Sequence, residues 1–154
     1  METHHKHLHR LPVTLPHEVG IIYFVTCCTD ERRKLFMDTG AARLVINEIS
    51  KSRELLKWLV GGVVVMPDHV HLFCCPPDRY DHDLSRFIGA WRSAVSRQLK
   101  ARGGEASVWQ KSFFDHILRS DESCGNKWEY VRQNPERAGL SDFQRWFEID
   151  ELGR

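Results

Sequence analysis

Two histidines with one residue between them, His69 and His71, are the pair of side chains best suited to metal chemistry in this sequence. They lie in Val63–Cys75, a stretch rich in β-branched and apolar residues that favours extended chain. Because side chains alternate between the two faces of a strand, both imidazoles leave the same face, roughly 7 Å apart. Such a pair can converge on one metal ion, although solvated or core-edge histidines on a strand would show the same pattern.

A second pair, Tyr130 and Asn134, lies on a predicted last helix that starts at Ser120 and runs toward Pro135. Residues four apart share one face of a helix, so a phenol and an amide oxygen point the same way. A tyrosine near a helix end is also a common half-buried packing residue, and an asparagine before proline is a common turn former. The spacing alone leaves a chemical and a structural role open for both residues.

The elements that position these residues follow a βαββαβα order. We predict strands over 21–29, 63–66, 69–75 and 112–118, and helices over 39–56, 81–100 and 120–135. Breaks are expected at Gly61–Gly62, Pro67–Asp68, Pro76–Pro77 and Gly103–Gly104. The helix over 81–100 has the clearest apolar stripe, which should cover a sheet. We therefore expect an α+β fold, a ferredoxin/RRM-like sandwich with a central, mainly antiparallel sheet and packed helices.

The composition is that of an ordinary globular protein. The chain has 154 residues, 42% hydrophobic and 28% charged, and it lacks an apolar run near the roughly 20 residues of a membrane span. We predict a flexible N-terminal arm over 1–17, one domain over 18–142 and a C-terminal tail over 143–154. The polar, His-rich N-terminus does not resemble a secretory signal.

The cysteines indicate a reducing compartment. Five are present, and four form the adjacent pairs Cys27–Cys28 and Cys74–Cys75. If both segments are strands, the two members of each pair point to opposite faces. This arrangement favours reduced, partly buried thiols in the cytosol. The C-x2-C spacing of a zinc knuckle is absent.

Local clusters of positive charge matter more than the net charge of +1, which gives weak support to nucleic-acid binding. Residues 92–111 contain one acidic residue, Glu105, and five basic ones, which is a local excess of +4. The basic residues are Arg92, Arg97, Lys100, Arg102 and Lys111. Arg32, Arg33 and Lys34 form a second cluster. Either cluster could hold a phosphate backbone or be an ordinary solvated face.

Three motifs stand in order along the chain: MPDHVHL at 66–72, WQKSFFDH at 109–116 and YVRQNPERAGL at 130–140. Together they resemble the HUH single-tyrosine transposases, and within that group the REP-associated tyrosine transposases. The resemblance runs from about Tyr23 to Leu140, which is nearly the whole chain. It implies that residues 18–142 form a transposase-like domain of this kind.

The resemblance also implies a metal site and a nucleophile. In that family, two histidines on a central strand and a polar residue four positions after a tyrosine hold a divalent metal, and the tyrosine cuts single-stranded DNA. Carried over, His69, His71 and Asn134 are ligands of Mg2+ or Mn2+, and Tyr130 is the nucleophile. One position departs from the family, because Asp68 precedes the first histidine where an asparagine is frequent.

The implied chemistry suits these side chains. A phenol, with a pKa near about 10, needs a metal or a base beside it to act as a nucleophile. Attack by Tyr130 on a phosphodiester gives a 5′-phosphotyrosine and a free 3′-OH, so the reverse step with another 3′-OH transfers the strand without ATP. His116 and Glu129 are candidate proton acceptors, although a structural role is the more common one for each of them.

The resemblance implies DNA hairpins beside a short single-stranded segment as the substrate. Phosphate contacts would come from the cationic clusters, namely Arg32, Arg33, Lys34, Arg92, Arg97 and Lys100. Trp109 or Phe113 would stack an unpaired base, although core packing is the more common role of tryptophan in a protein of this size.

Three functions stay open on the sequence. The first is metal-dependent nicking and strand transfer of single-stranded DNA. The second is a module of the same fold that binds DNA or RNA hairpins but no longer cleaves them, and the third is an unrelated hydrolase with zinc on His69 and His71. We expect a cytoplasmic, nucleoid-associated protein without membrane contact. The family includes homodimers and monomers, so the oligomeric state stays open.

Overall fold

One antiparallel sheet organises the part of the chain that the structure, a computed structural model, describes: residues 22–77, 83–104, 107–118 and 146–147. Its strands are β1 (Ile22–Cys28), β2 (Leu59–Met66), β3 (His69–Cys75), β4 (Phe114–Leu118) and β5 (Trp146–Phe147). The spatial order is β4-β1-β3-β2-β5, and every neighbouring pair runs antiparallel. The histidine strand β3 therefore lies in the interior of the sheet, between β1 and β2.

Two long helices precede β2 and β4. They are α1 (Thr39–Leu56) and α2 (Leu84–Ala101). An aspartate caps the N-terminus of each helix, and its side chain accepts a hydrogen bond from a backbone N–H of the first turn. The capping residue is Asp38 in α1 and Asp83 in α2. After α2 the chain turns at Gly103, whose φ of 90° is favourable only for glycine. Neither helix, nor any other in the described part of the chain, is long and apolar enough to cross a membrane.

The main core lies between one face of the sheet and the two helices. α2 contributes the stripe that its spacing predicts, with Phe87, Ile88 and Trp91 completely buried. These side chains pack with apolar residues of the sheet such as Val25 and Leu72. Full burial of a large apolar side chain stabilises a fold by about 1.5 to 3 kcal/mol, so α2 and the sheet hold each other in place.

The opposite face of the sheet carries a second, smaller apolar cluster. Val64 and Phe73 are fully buried there, beside Met66 and Leu118. Alternation along β3 puts His69 and His71 on this second face, because Phe73 belongs to it and lies two residues beyond His71. The predicted histidine pair is therefore on the side of the sheet away from α1 and α2.

Four free cysteines, Cys27, Cys28, Cys74 and Cys75, are buried in the described residues, as the sequence predicts. Cys27 and Cys74 belong to the helix-side core, whereas Cys75 belongs to the cluster on the opposite face. Desolvation by burial raises the pKa of both Cys27 and Cys75 to about 12. Since the thiolate is the reactive form, these thiols act as small apolar side chains.

The predicted α+β sandwich is confirmed, and the differences from the prediction are local. β2 begins at Leu59 and includes both glycines, although we predicted that Gly61–Gly62 precede the strand. Glycine disfavours strands, but here a register shift between Val60 and Gly62 accommodates it. Two residues of the segment assigned to a C-terminal tail, Trp146–Phe147, pair with β2. The predicted helix over 120–135 lies outside the described residues.

Candidate active site

His69 and His71 form a close pair on the second face of the sheet. Their ring centroids are 4.7 Å apart, and the ring planes stand at 76° to each other. The side chain of His69 is 17% exposed, and His71 is also only partly buried. Across β1, Cys28 lies opposite His69 and Thr26 opposite His71. The two imidazoles therefore share one partly open site.

A neighbouring side chain engages the Nδ1 atom of each ring. Nδ1 of His69 lies 2.8 Å from Oδ1 of Asp68, and Nδ1 of His71 lies 2.8 Å from Oγ1 of Thr26. Phe24 also stacks on His71, with ring centroids 5.2 Å apart. Metal-binding histidines usually engage a second group in this way, through the nitrogen that does not bind the metal.

Asp68 determines which nitrogen of His69 carries the proton. An ionised carboxylate can only accept hydrogen bonds, so the neutral ring must donate from Nδ1 and keep its lone pair on Nε2. Desolvation, the largest influence on Asp68, raises its pKa. Hydrogen bonds from His69 and Arg32 and the charges of these groups outweigh it, so the pKa of Asp68 lies below its ordinary value. The carboxylate is therefore ionised at neutral pH.

Arg32 reaches Asp68 from a turn that follows β1. Both Nε and Nη2 of Arg32 lie 3.1 Å from Oδ2 of Asp68. The turn places Glu31 at φ 58° and Arg32 at φ 52°, and two consecutive residues with side chains are uncommon in this left-handed region. Buried Thr29 ties the turn down, since its hydroxyl donates to Arg33 O at 2.7 Å and its N–H donates to Asp68 O at 3.0 Å.

The sequence did not predict these orienting contacts. On the sequence, Asp68 departs from the asparagine that is frequent in the family, and Arg32 is a candidate phosphate contact. The pattern predicts Thr26 on the first strand without a role at the site. The missing signal is tertiary, because Arg32 and Asp68 are 36 residues apart and Thr26 and His71 are 45 apart. Strand boundaries alone do not give the register that pairs them.

Tyr130 and Asn134, the predicted nucleophile and third ligand, lie outside the described residues, as does Glu129. Within the described ranges, no group of three or more His, Cys, Asp and Glu side chains could hold a metal. His116 lies opposite Phe24 in the β1–β4 register and so faces the same side of the sheet as the histidine pair. It is exposed, and at a strand spacing of about 4.8 Å it stands roughly 10 Å from β3.

A cationic groove lies along α2, on the helix side of the sheet. Its volume is about 570 Å³, and it is lined by small, hydroxyl-bearing, aromatic and positively charged residues: Ser85, Gly89, Arg92, Ser93, Ser96, Arg97, Trp109, Lys111 and Phe113. Arg97 and Lys111 are exposed. The structure thus brings together Arg92, Arg97 and Trp109 from the predicted DNA contacts.

Arg92 and Trp109 hold the wall of this groove. The guanidinium of Arg92 lies 5.5 Å over the Trp109 ring and donates to the carbonyl of Gln110. The Trp109 indole N–H donates to Arg92 O at 3.0 Å, and the ring packs edge-on against buried Trp91. These contacts favour a structural role for Trp109 over base stacking, and they leave Arg97 and Lys111 as the cations of the groove that face solvent.

The other predicted phosphate contacts lie apart from the groove. Lys100 is exposed on the last turn of α2 but does not line it. In the second cluster, Arg32 is bound to Asp68, and Arg33 donates to the carbonyls of Asp30 and Ser107. Lys34 is exposed. The cluster 32–34 thus contains two arginines with structural partners and one exposed lysine.

Comparison with known protein families identifies the family of this chain. The family model described as "Transposase IS200 like" matches residues 18–134, which include the histidine pair, the groove, Tyr130 and Asn134. The chain belongs to the IS200-like transposase family.

Two curated relatives agree with this membership of the IS200-like family. One is a protein of Haemophilus influenzae assigned as a REP-associated tyrosine transposase, 25% identical over 130 residues that cover 78% of this chain and 73% of the relative. The other, from Escherichia coli, is named a REP-associated tyrosine transposase and is 25% identical over 120 residues, covering 78% of this chain and 69% of the relative. The resemblance that the three motifs predicted is confirmed.

Solved structures share the fold of this IS200-like family member. A REP-associated tyrosine transposase bound to a REP hairpin aligns with a TM-score of 0.70 at 23% identity, over 82% of this chain and 76% of that one. A Deinococcus radiodurans protein assigned as a transposase aligns with a TM-score of 0.54 at 20% identity, over 71% of this chain and 87% of that one. The α+β architecture is therefore that of known transposases.

Proposed function

We propose that this transposase-family chain nicks single-stranded DNA and transfers the cut strand through a 5′-phosphotyrosine on Tyr130, with a divalent metal held by His69 and His71. The observation that supports this best is the histidine pair itself. Both rings stand on one face of the central strand, each is engaged at Nδ1, and the centroids are 4.7 Å apart. Histidines that only pack at a sheet surface do not need a partner at Nδ1 of each ring.

The residues fit Mg2+ or Mn2+. Two imidazoles and the amide oxygen of Asn134 would supply three ligands and leave other positions open for phosphate oxygens, as catalytic sites require. Asp68 keeps the Nε2 lone pair of His69 available. When bound, the ion would supply positive charge that polarises the phosphate to be cut. Similarity to REP-associated tyrosine transposases supports a transposase activity. The set of metal ligands is our proposal.

The covalent step is an exchange of phosphodiester bonds. The Tyr130 oxygen attacks the phosphorus, the bond to the 3′ oxygen breaks, and that oxygen leaves as a 3′-OH after it takes up a proton. The phenol proton passes to a base, for which Glu129 and His116 are the candidates. A 3′-OH from another strand reverses the step and releases Tyr130. Since one ester replaces another, no external energy source is required.

We propose that the cationic groove on α2 binds the backbone of a DNA hairpin. The relative of known structure that aligns with this chain is bound to a REP hairpin. Exposed Arg97 and Lys111 give this groove the charge that attracts phosphates. A DNA substrate also agrees with our expectation of a cytoplasmic, nucleoid-associated protein.

The direct test uses the full chain and a hairpin oligonucleotide with a single-stranded flank, incubated with Mn2+ and resolved on a denaturing gel. We expect a protein–DNA adduct that survives denaturation and is lost when EDTA removes the metal. A shifted band on a native gel without any denaturation-resistant adduct would instead identify a hairpin-binding module that no longer cleaves.

Asn134 should behave as a metal ligand. We expect Asn134→Ala to lower the single-turnover cleavage rate about 10- to 100-fold, the usual loss when a metal site is weakened. Asn134→Asp should keep the metal and bind it more tightly, because a carboxylate is the stronger ligand for Mg2+ and Mn2+. Stopped reactions on a labelled hairpin measure both rates.

Thermal denaturation separates this role from a turn role before Pro135. If Asn134 only forms the turn before Pro135, its loss lowers the melting temperature and leaves the cleavage rate per folded molecule unchanged. A normal cleavage rate in Asn134→Ala together with a lowered melting temperature would refute the ligand assignment.

The groove cations should control the salt dependence of hairpin binding. In Arg97→Ala/Lys111→Ala we expect weaker binding and a slope of log K against log salt that falls by about 0.9 per lost phosphate contact. Titration of a fluorescent hairpin at several salt concentrations measures this slope. Arg43→Ala is the matched control, because Arg43 is an exposed arginine of α1 that does not line the groove. Equal slopes in the double variant and the control would exclude the groove from DNA binding.

A further inference from the structure

We propose that Arg32 and Asp68 are positioning residues that select the metal-binding form of His69. The identity of the bound ion rests on the function proposed above, whereas the state of the His69 ring does not. The sequence assigned Arg32 to DNA phosphates, so this inference gives that side chain a different task.

The two oxygens of Asp68 serve different donors. Oδ1 lies 2.8 Å from Nδ1 of His69, while Oδ2 lies 3.1 Å from both Nε and Nη2 of Arg32. A guanidinium only donates hydrogen bonds, so it must meet an acceptor. The side chain at position 68 therefore has to accept on both sides at once, and a carboxylate is the group that does so.

An amide at this position would create a conflict. It has one oxygen and one NH2 group, and the charge-assisted bonds to Arg32 are the stronger ones. The oxygen would turn toward Arg32 and the NH2 toward His69. The ring would then have to accept at Nδ1 and carry its proton on Nε2, where the lone pair for a metal is needed. While Arg32 is present, Asp68 therefore cannot be replaced by an amide without effect on His69. Arg32 acts through Asp68, because its two bonds to Oδ2 hold the carboxylate with Oδ1 toward the ring.

The turn that carries Arg32 supports an orienting task. The side chains of Arg32 and Asp68 are 53% and 22% exposed, and a partly exposed ion pair adds little to the stability of a fold. The turn that brings Arg32 to Asp68 nevertheless places both Glu31 and Arg32 in the left-handed region of backbone conformation. Backbone strain of this kind persists where surrounding contacts impose it, as Thr29 does here, and it concentrates at functional sites.

The test reads the His69 ring directly in the metal-free protein. Nitrogen-15 NMR of the imidazoles distinguishes a proton on Nδ1 from one on Nε2, at a pH where the ring is neutral. We expect Nδ1–H in the native chain, a shift to Nε2–H in Asp68→Asn, and a return to Nδ1–H in Asp68→Asn/Arg32→Ala, where the amide oxygen is free to face His69.

Mn2+ affinity, measured by calorimetry without DNA, should follow the same order. Asp68→Asn should bind Mn2+ about 10- to 100-fold more weakly, and the double variant should regain most of that loss. Arg32→Ala should weaken Mn2+ binding less than Asp68→Asn does, because the carboxylate still accepts from His69 but is no longer held in place. Arg32→Lys, which keeps a positive donor, should lie between Arg32→Ala and the native chain. Arg43→Ala removes an exposed arginine of α1 and should leave Mn2+ affinity unchanged.

The outcomes separate this inference from the proposed function. If Mn2+ binds and needs both histidines, but Asp68→Asn keeps Nδ1–H and the double variant binds no better, the positioning role is wrong and the metal site stands. If the ring changes as expected but the native chain binds no Mn2+, the positioning role stands and the metal site is wrong. If Asp68→Asn does not fold, Arg32→Ala decides, since unchanged Mn2+ affinity with weaker hairpin binding would make Arg32 a phosphate contact.

Discussion

Tyr130→Phe is expected to abolish the covalent protein–DNA adduct while hairpin affinity stays within about threefold of the native value. The substitution keeps the aromatic ring and removes the one oxygen that would attack the phosphorus. Residual strand cleavage should fall to the background of the uncatalysed reaction. Incubation with a labelled hairpin and Mn2+, followed by denaturing electrophoresis, measures the adduct, and a native gel measures binding.

The same variant separates the candidate functions. An adduct on Tyr130→Phe would assign the nucleophile to another residue. Cleavage that continues at the native rate without any adduct would indicate a hydrolase that activates water, the zinc enzyme that the histidine pair also allows. Tyr23 offers the matched control, because Tyr23→Phe removes a phenol oxygen on the helix side of the sheet and should leave the adduct intact.

His69→Ala and His71→Ala are each expected to remove cleavage and to weaken Mn2+ binding strongly. The two rings are the described side chains that would hold the ion, so the loss of either removes a ligand. His71→Ala should also lower the free energy of unfolding by about 0.5 to 1.5 kcal/mol, because the ring stacks on Phe24. Calorimetric Mn2+ titration and thermal denaturation measure the two effects.

His116→Ala is the control for metal binding, since this exposed histidine faces the same side of the sheet but is two strands away from the pair. It should keep the native Mn2+ affinity. If His69→Ala and His71→Ala also kept it, the two histidines would be ordinary residues of a sheet surface and the proposed metal site would be wrong.

The sequence predicted the elements that rest on a local pattern. The apolar stripe of α2 predicted the bounds of that helix to within a few residues. The alternation of side chains along a strand predicted that His69 and His71 share one face of the sheet. β2 was predicted too short because glycine propensity opposes a strand, and the bulge that admits Gly61–Gly62 depends on pairing with β3. The elements were thus predictable where local and tertiary preferences agree.

The orientation of the site could not be predicted in the same way. Pro67–Asp68 was recognised as a break between two strands, but the pattern of a break does not show what the Asp68 carboxylate binds. The turn at Glu31 and Arg32 has no sequence signal, because neither residue favours a left-handed backbone. Trp109 was a candidate for base stacking, and its packing against Trp91 depends on how the segment after α2 returns to the helix.

The interior position of β1, between β4 and β3, has a consequence for how the chain is made. On the ribosome β1 emerges before both of its partners, because β3 follows 45 residues later, counted from Thr26 to His71, and β4 later still. At about 5 to 20 residues per second, this apolar strand waits roughly 2 to 9 seconds before either edge can pair. Nascent chains therefore expose Val25 and Cys27, which are fully buried in the fold, for that time, and the unpaired strand can associate with other chains during it.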